Sequence, residues 1–221
     1  YYKLTINKFD NVGNRMLEMT IGDFPAGARV NPQSVLMDKT SGDIYVSGTF
    51  EGMVDFDPGA GTVYELSSSS MYQDGFIAKY DQLLNLNWVQ TYEGKVEFGK
   101  YGLDFCAGEI VAVGNISGTI DFGNGNILSS NTTSSVSPFF ITINSTGVTQ
   151  NGFTIEGYGR FNTVHTCSNN SFAMTGMITD NTDMDPTAAT LILNATTTSS
   201  FTAVYQSTTT SIPEAKQTET I

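Results

Sequence analysis

The sequence predicts an all-β chain of four-stranded antiparallel units. Three observations predict it. No stretch carries apolar residues at the i, i+3, i+4 spacing of an amphipathic helix. The polar residues are dominated by Ser, Thr, Asn and Gly, types that compete with a helix backbone for hydrogen bonds and favour turns. Runs of 5–8 residues rich in β-branched and aromatic types recur between Gly, Asn, Asp and Pro. With 221 residues, 39 % of them hydrophobic, the chain is long enough for a sizeable core.

The elements repeat. "GDIYVSGTFEGMVDFDPG" from Gly42, "GEIVAVGNISGTIDFGNG" from Gly108 and "NSFAMTGMITDNTDMDPT" from Asn170 align without a gap. Gly48, Gly114 and Gly176 coincide at separations of 66 and 62, and Asp55, Asp121 and Asp183 coincide with them. A second segment keeps step: "GFIAKYD", "PFFITIN" and "SFTAVYQ", with Phe76, Phe139 and Phe201 at matching places. A further strand follows each, "LNWVQTYEG", "NGFTIEG" and "EAKQTETI". A fourth copy of this last hairpin opens the chain, where "TINKFD" matches "FIAKYD" and "LEMTIG" matches "VQTYEG". The reading is a single repeat domain over 1–221: a half unit over 1–22 (an outer hairpin), then whole units over 32–94, 98–157 and 158–221. In the first whole unit the four strands expected are "DIYVSGTF", "GMVDF", "GFIAKYD" and "LNWVQTY".

Four antiparallel strands per unit is the plan of a propeller blade. The expected fold is therefore propeller-like, about three and a half blades, with a β-sandwich or a stacked β-solenoid as alternatives. "GDIYVSGTFEGMVDFDPGAG" and "DGFIAKYDQLLNLNW" closely resemble the bacterial β-propeller repeats called SBBP repeats. The resemblance is closest over 40–92 and extends more loosely over 106–157 and 167–221. It implies an extracellular, secreted or cell-surface β-propeller module.

Charge and hydropathy exclude several functions. The net charge of −12 repels phosphate, which argues against nucleic acid as a partner. No apolar run approaches the roughly 20 residues needed to span a bilayer. The chain starts inside a strand-like run, "YYKLTINKFD", and reads as a mature or excised piece of a longer product.

Candidate sites are few. "VDFDPGAG" sets Asp55 and Asp57 at alternate positions, as a calcium loop does. The second copy keeps only Asp121, and the third has Asp183 and Asp185 with Asp180 just upstream. What all three share is one Asp followed by a turn-former, which is also what a structural turn needs. Calcium at Asp55, Asp57, Asp180, Asp183 and Asp185 stays the alternative; no other cofactor is expected. Cys106 and Cys167 stand 61 apart and near-equivalent in two units, so they form a disulfide only if the units bring them close. Sequons place possible glycosylation at Asn115, Asn131, Asn144, Asn169 and Asn194.

No catalytic residue is expected. His165 lies two residues from Cys167, but no orienting group is identifiable for a nucleophilic pair. Glu93 and Glu156 precede a Gly in equivalent strands, so repetition argues for structure rather than one active centre. Trp88, Tyr72, Tyr80 and Tyr92 are either core between units or a platform for glycans. The function expected is a non-catalytic extracellular structural module, a subunit of a surface fibre or polymer joined to its own copies through terminal strands. The alternative is a glycan- or protein-binding adhesion module stabilised by calcium.

Overall fold

The structure, a computed structural model, describes residues 3–21, 28–57, 59, 65–67, 73–130, 136–166, 171–187, 190–194, 197–206 and 214–216. Among these there is no helix, and the strands curl into a half-barrel. The chain opens with the hairpin β1 (Leu4–Phe9) and β2 (Arg15–Ile21). Next come β3 (Arg29–Met37), β4 (Ile44–Glu51), the short hairpin β5 (Met53–Asp55) and β6 (Glu65–Ser67), then β7 (Asp74–Tyr80) and β8 (Leu86–Tyr92). They are followed by β9 (Lys95–Cys106), β10 (Glu109–Ser117), the hairpin β11 (Thr119–Asp121) and β12 (Ile127–Ser129), β13 (Ser137–Ile143) and β14 (Thr149–Thr154). The last are β15 (Glu156–Thr166), β16 (Ser171–Asp183), β17 (Ile192–Leu193), β18 (Ser199–Gln206) and β19 (Glu214–Lys216).

One antiparallel pairing order occurs three times: β3-β4-β7-β8, β9-β10-β13-β14 and β15-β16-β18-β19. The second and third runs join into one sheet through a parallel bridge between Tyr101 of β9 and Thr163 of β15. The sequence expectation of separate four-stranded units is thus met for β3-β4-β7-β8, while the other two runs share a sheet, and one expected strand is placed differently. "GMVDF" is not a strand of the main sheet; its β5 pairs only with β6 in a side hairpin. The fourth place is filled by β3, "RVNPQSVLM", which pairs with β4 from Arg29↔Glu51 to Met37↔Ile44. The physical reason is local. Gly52 turns the chain out of β4 at a φ of 75°, and the Asp55 turn ends β5 after three residues.

The repeat glycines sit where no side chain fits. Gly48, Gly114 and Gly176 stand opposite Phe76, Phe139 and Phe201 in the neighbouring strand. A Cβ at Gly114 would run into the Glu97 carbonyl oxygen and lie 2.8 Å from the Phe139 ring. Gly48 meets the Asn31 carbonyl and Phe76 in the same way, and Gly176 the Arg160 carbonyl and Phe201. In each unit a bulge in the first strand brings its backbone against the glycine, and the ring covers the other side.

The cores lie between consecutive units. Leu4, Met19 and Ile21 of the first hairpin pack on Val46, Phe76 and Tyr80. Tyr45, Ile77 and Tyr92 pack on Phe98, Ala112 and Phe139. Val111, Val113 and Phe140 pack on Phe161, Phe172 and Tyr205. Neighbours along one strand, such as Val111 and Ala112, serve opposite cores, so Ile110–Val113 of β10 form a continuous apolar run rather than alternating. The two outermost faces break this rule. On the last sheet the cross-strand pair Thr175↔Thr202 occupies the places of Val113↔Phe140. On the first hairpin Thr5 occupies the place of Phe76 and is exposed. Hydroxyl pairs run across these faces, Thr5 to Thr20 at 3.2 Å and Thr163 to Thr175 at 2.7 Å.

Candidate functional site

The acidic loops act as turns. Asp55 Oδ1 accepts the Asp57 N–H at 2.9 Å, and Asp57 Oδ1 accepts that of Gly59 at 3.2 Å. Asp121 Oδ1 accepts the Gly123 N–H at 2.7 Å. Asp183 Oδ1 takes the N–H groups of Asp185 and Leu191 at 3.1 and 2.8 Å, and Asp185 Oδ1 that of Thr187 at 2.8 Å. Each carboxylate thereby supplies the acceptor that the turning backbone lacks. The Asp180 side chain lies outside the described part. Among the described residues no three acidic, His or Cys side chains gather in a form that would hold a metal ion.

The residue after each repeat Asp carries a buried carbonyl with a dedicated donor. Tyr80 Oη donates to the Phe56 carbonyl at 3.0 Å and Tyr205 Oη to that of Met184 at 2.9 Å. Burial, then the nearby Asp57 and Asp55 charges, push the Tyr80 phenol up; burial, then Asp185 and Asp183, do the same at Tyr205. In the middle unit Ile143 replaces the tyrosine, and the Thr149 hydroxyl serves the Phe122 carbonyl at 2.7 Å instead. Tyr80 and Tyr92 are therefore core residues. Trp88 anchors the next unit through Nε1 to the Ser145 carbonyl at 3.1 Å. Tyr72 lies outside the described residues.

A second turn recurs between the third and fourth strands. Asp10, Asp81 and Asn144 each accept, on Oδ1, the N–H groups two and four residues on, at 2.8–3.0 Å. Hydrogen bonds from Asn14 hold the Asp10 carboxyl below the usual range. At Asp81 partial burial opposes the shift, but the Asn85 bonds outweigh it and the pKa is again lowered.

The other candidates are scattered. Asn115 is buried on β10, and its Nδ2 donates to Glu97 Oε2 at 3.1 Å. Asn144 is engaged in its turn, and Asn194 is exposed just after β17. Asn131, Asn169 and Cys167 lie outside the described residues. Cys106 is half-buried; burial, then Asp104 and Glu109, push its thiol up. Thr166, next to Cys167, donates its hydroxyl to the carbonyl of Phe105, next to Cys106. His165 is exposed, with Nδ1 3.3 Å from Asp104 Oδ2. Glu93 and Glu156 are exposed at corresponding strand ends.

The concave feature that sequence reasoning missed is a groove of about 840 Å³ between β1, β3 and the middle of β9. Its far wall is a bulge, Gly99-Lys100-Tyr101-Gly102, inserted between the pairs Phe98↔Gly114 and Leu103↔Ala112. A Cβ at Gly99 would run into the Asn162 carbonyl, and one at Gly102 would lie 2.6 Å from the Val113 carbonyl. The two glycines let the backbone press against β15 and β10 while Lys100 and Tyr101 project outward. Tyr101 is 74 % exposed and Val35, on the floor, 68 %. The sequence signal was the glycine pair framing Lys-Tyr inside an otherwise strand-like run.

No protein-family model matches the chain, and no curated protein matches it.

Proposed function

We propose that this chain is a non-catalytic structural module of an extracellular or cell-surface assembly, a propeller-type repeat protein that joins its own copies through its terminal strands. The observation that carries the reading is the state of β1. In the three full units the third strand lies between a second and a fourth; β1, its counterpart in the first hairpin, pairs only with β2 among the described residues. A strand with an open edge is a template for another chain. The propeller reading is supported by the repeated strand order, by the face-to-face cores and by the parallel contact of first strands β9 and β15. The extracellular setting rests on the likeness to SBBP repeats. The absence of catalysis is supported by the use of the repeat carboxylates and tyrosines to satisfy the backbone.

Light scattering at micromolar concentration tests self-association. The expected result is a polymer that disappears when residues 1–10 are removed, with the remaining units still folded by circular dichroism. A monodisperse 23.8 kDa particle for the full chain would overturn it.

A further inference from the structure

We propose that Asn144 is a modification site, the position at which this chain carries an N-linked glycan. The proposal rests on the extracellular setting inferred above. It is separate from the joining of copies, since none of residues 144–148 lines the groove beside β1.

The same turn joins the third and fourth strands in the first hairpin and in the first two full units. In each copy the leading residue's own N–H bonds the carbonyl four residues on: Asp10 to Asn14, Asp81 to Asn85 and Asn144 to Val148, at 2.9–3.0 Å. The copies part at three side chains. Asp10 and Asp81 each use their second carboxylate oxygen to accept an Nδ2 donor, that of Asn14 at 2.9 Å and that of Asn85 at 2.8 Å. The middle unit has an amide, Asn144, in place of the carboxylate and Val148 in place of the donor. Valine can neither donate nor accept, and Val148 is 41 % exposed. Two residues into the turn, where the other copies have Val12 and Leu83, stands Thr146, whose hydroxyl donates to Asn144 Oδ1 at 2.8 Å.

These three changes create the sequon Asn-Ser-Thr and free its reacting atom. Two backbone N–H groups and the Thr146 hydroxyl converge on one end of the Asn144 amide, which fixes that end as the oxygen. The other end, Nδ2, has no hydrogen-bond partner among the described residues. Ser145 and Thr146 are exposed, so the sequon stays reachable after folding. Aspartate meets the needs of this turn equally well, as Asp10 and Asp81 show; what the amide adds is a nitrogen. Asn115 makes the contrast: it is buried, and its Nδ2 is spent on Glu97.

The donor class is an oligosaccharide held through its anomeric carbon on a lipid diphosphate. Nδ2 attacks that carbon, the bond from carbon to the diphosphate oxygen breaks, and the lipid diphosphate leaves with the electron pair. One Nδ2 proton passes to a base of the transferase. The product keeps one N–H, and Oδ1 keeps its three hydrogen bonds, so the turn survives modification.

The test is secretion of the full chain from cells that N-glycosylate, followed by glycopeptide mapping by mass spectrometry. A glycan should be found on the peptide containing Asn144, and its enzymatic release should leave aspartate at 144. Asn144→Asp keeps the turn as Asp81 builds it, and Thr146→Ala breaks the sequon; both should lose that glycan and stay folded by circular dichroism. Thr146→Ser should retain it. An unmodified Asn144 in the secreted chain, whatever the other sequons carry, would overturn the proposal. Light scattering on the enzymatically deglycosylated chain reads the joining of copies independently, so failure of either reading is told apart from failure of the other.

Discussion

Adding one methyl group at Gly114 is the sharpest test of how the units are held together. Its φ is not in the left-handed region, so Gly114→Ala costs nothing in backbone conformation and the whole effect is steric. The new Cβ would run into the Glu97 carbonyl oxygen and stand 2.8 Å from Phe139 Cε1. The ring can rotate; the carbonyl belongs to a strand clamped in the sheet and cannot retreat without shifting Val96 and Phe98, both buried. Overpacking of this kind costs about 1–3 kcal/mol, and a contact with fixed backbone belongs at the upper end, about 3 kcal/mol. Gly13→Ala is the control: φ is 92° and nothing lies within 4 Å, so only the left-handed backbone is penalised, about 1–2 kcal/mol. Urea unfolding followed by circular dichroism gives both values from the midpoint, with m unchanged. The double variant Gly114→Ala/Phe139→Leu should recover only the ring's share of the loss. A Gly114→Ala midpoint within error of the parent, or full rescue by Phe139→Leu, would refute the view that the bulged carbonyl dictates glycine.

Tyr205→Phe should cost about 1–2 kcal/mol, because the Met184 carbonyl loses its donor inside the core; Tyr80→Phe and Thr149→Val should cost about the same at Phe56 and Phe122, by the same unfolding assay. The depressed carboxyls of Asp10 and Asp81 contribute stability that is present above the unfolded-state pKa and is lost as pH falls through the folded values. Urea midpoints should therefore hold steady at neutral pH and fall below about pH 4. Asp81→Asn, the amide version that Asn144 already uses, should flatten part of that fall, and an unchanged slope would count against the turn bonds as its cause. In a Cys167→Ser background, iodoacetamide should modify Cys106 more slowly at pH 7 than it modifies free cysteine, with the rate climbing at higher pH than that of free cysteine, since burial and the Asp104 and Glu109 charges keep the thiol protonated.

Much of this architecture was legible because backbone constraints recur. The glycines at 48, 114 and 176, their facing phenylalanines and the Asp turns are fixed by contacts within a unit, so each unit repeats them. The first strands were harder to read. β3, β9 and β15 carry bulges of different size, and "RVNPQSVLM" holds a proline and several exposed positions, so neither alignment nor apolar alternation marked it as sheet. "GMVDF" looked like the better strand because it is apolar, but three residues between Gly52 and the Asp55 turn are too few to cross the sheet. The groove had no signal in composition at all. It arises from what lies beside β1 in three dimensions, and only the Gly99–Gly102 pair around an exposed Lys-Tyr hinted at a shaped wall.

The threonines on the two outer faces have a bearing on what can stack against them. Interior faces are interchangeable: Val113 and Phe140 accept the next sheet because both are apolar and covered. A unit appended beyond the last sheet would have to rest on Thr175 and Thr202, and one added before the hairpin on Thr5 and Thr20, burying hydroxyls that already satisfy one another or face water. Duplication inside the array meets no such barrier. Stacking on either threonine face is thus disfavoured relative to the interior faces, as it is on the polar surfaces of repeat arrays. A sheet packed there in the manner of the interior would call for the valine and phenylalanine found at Val113 and Phe140 in place of those threonines.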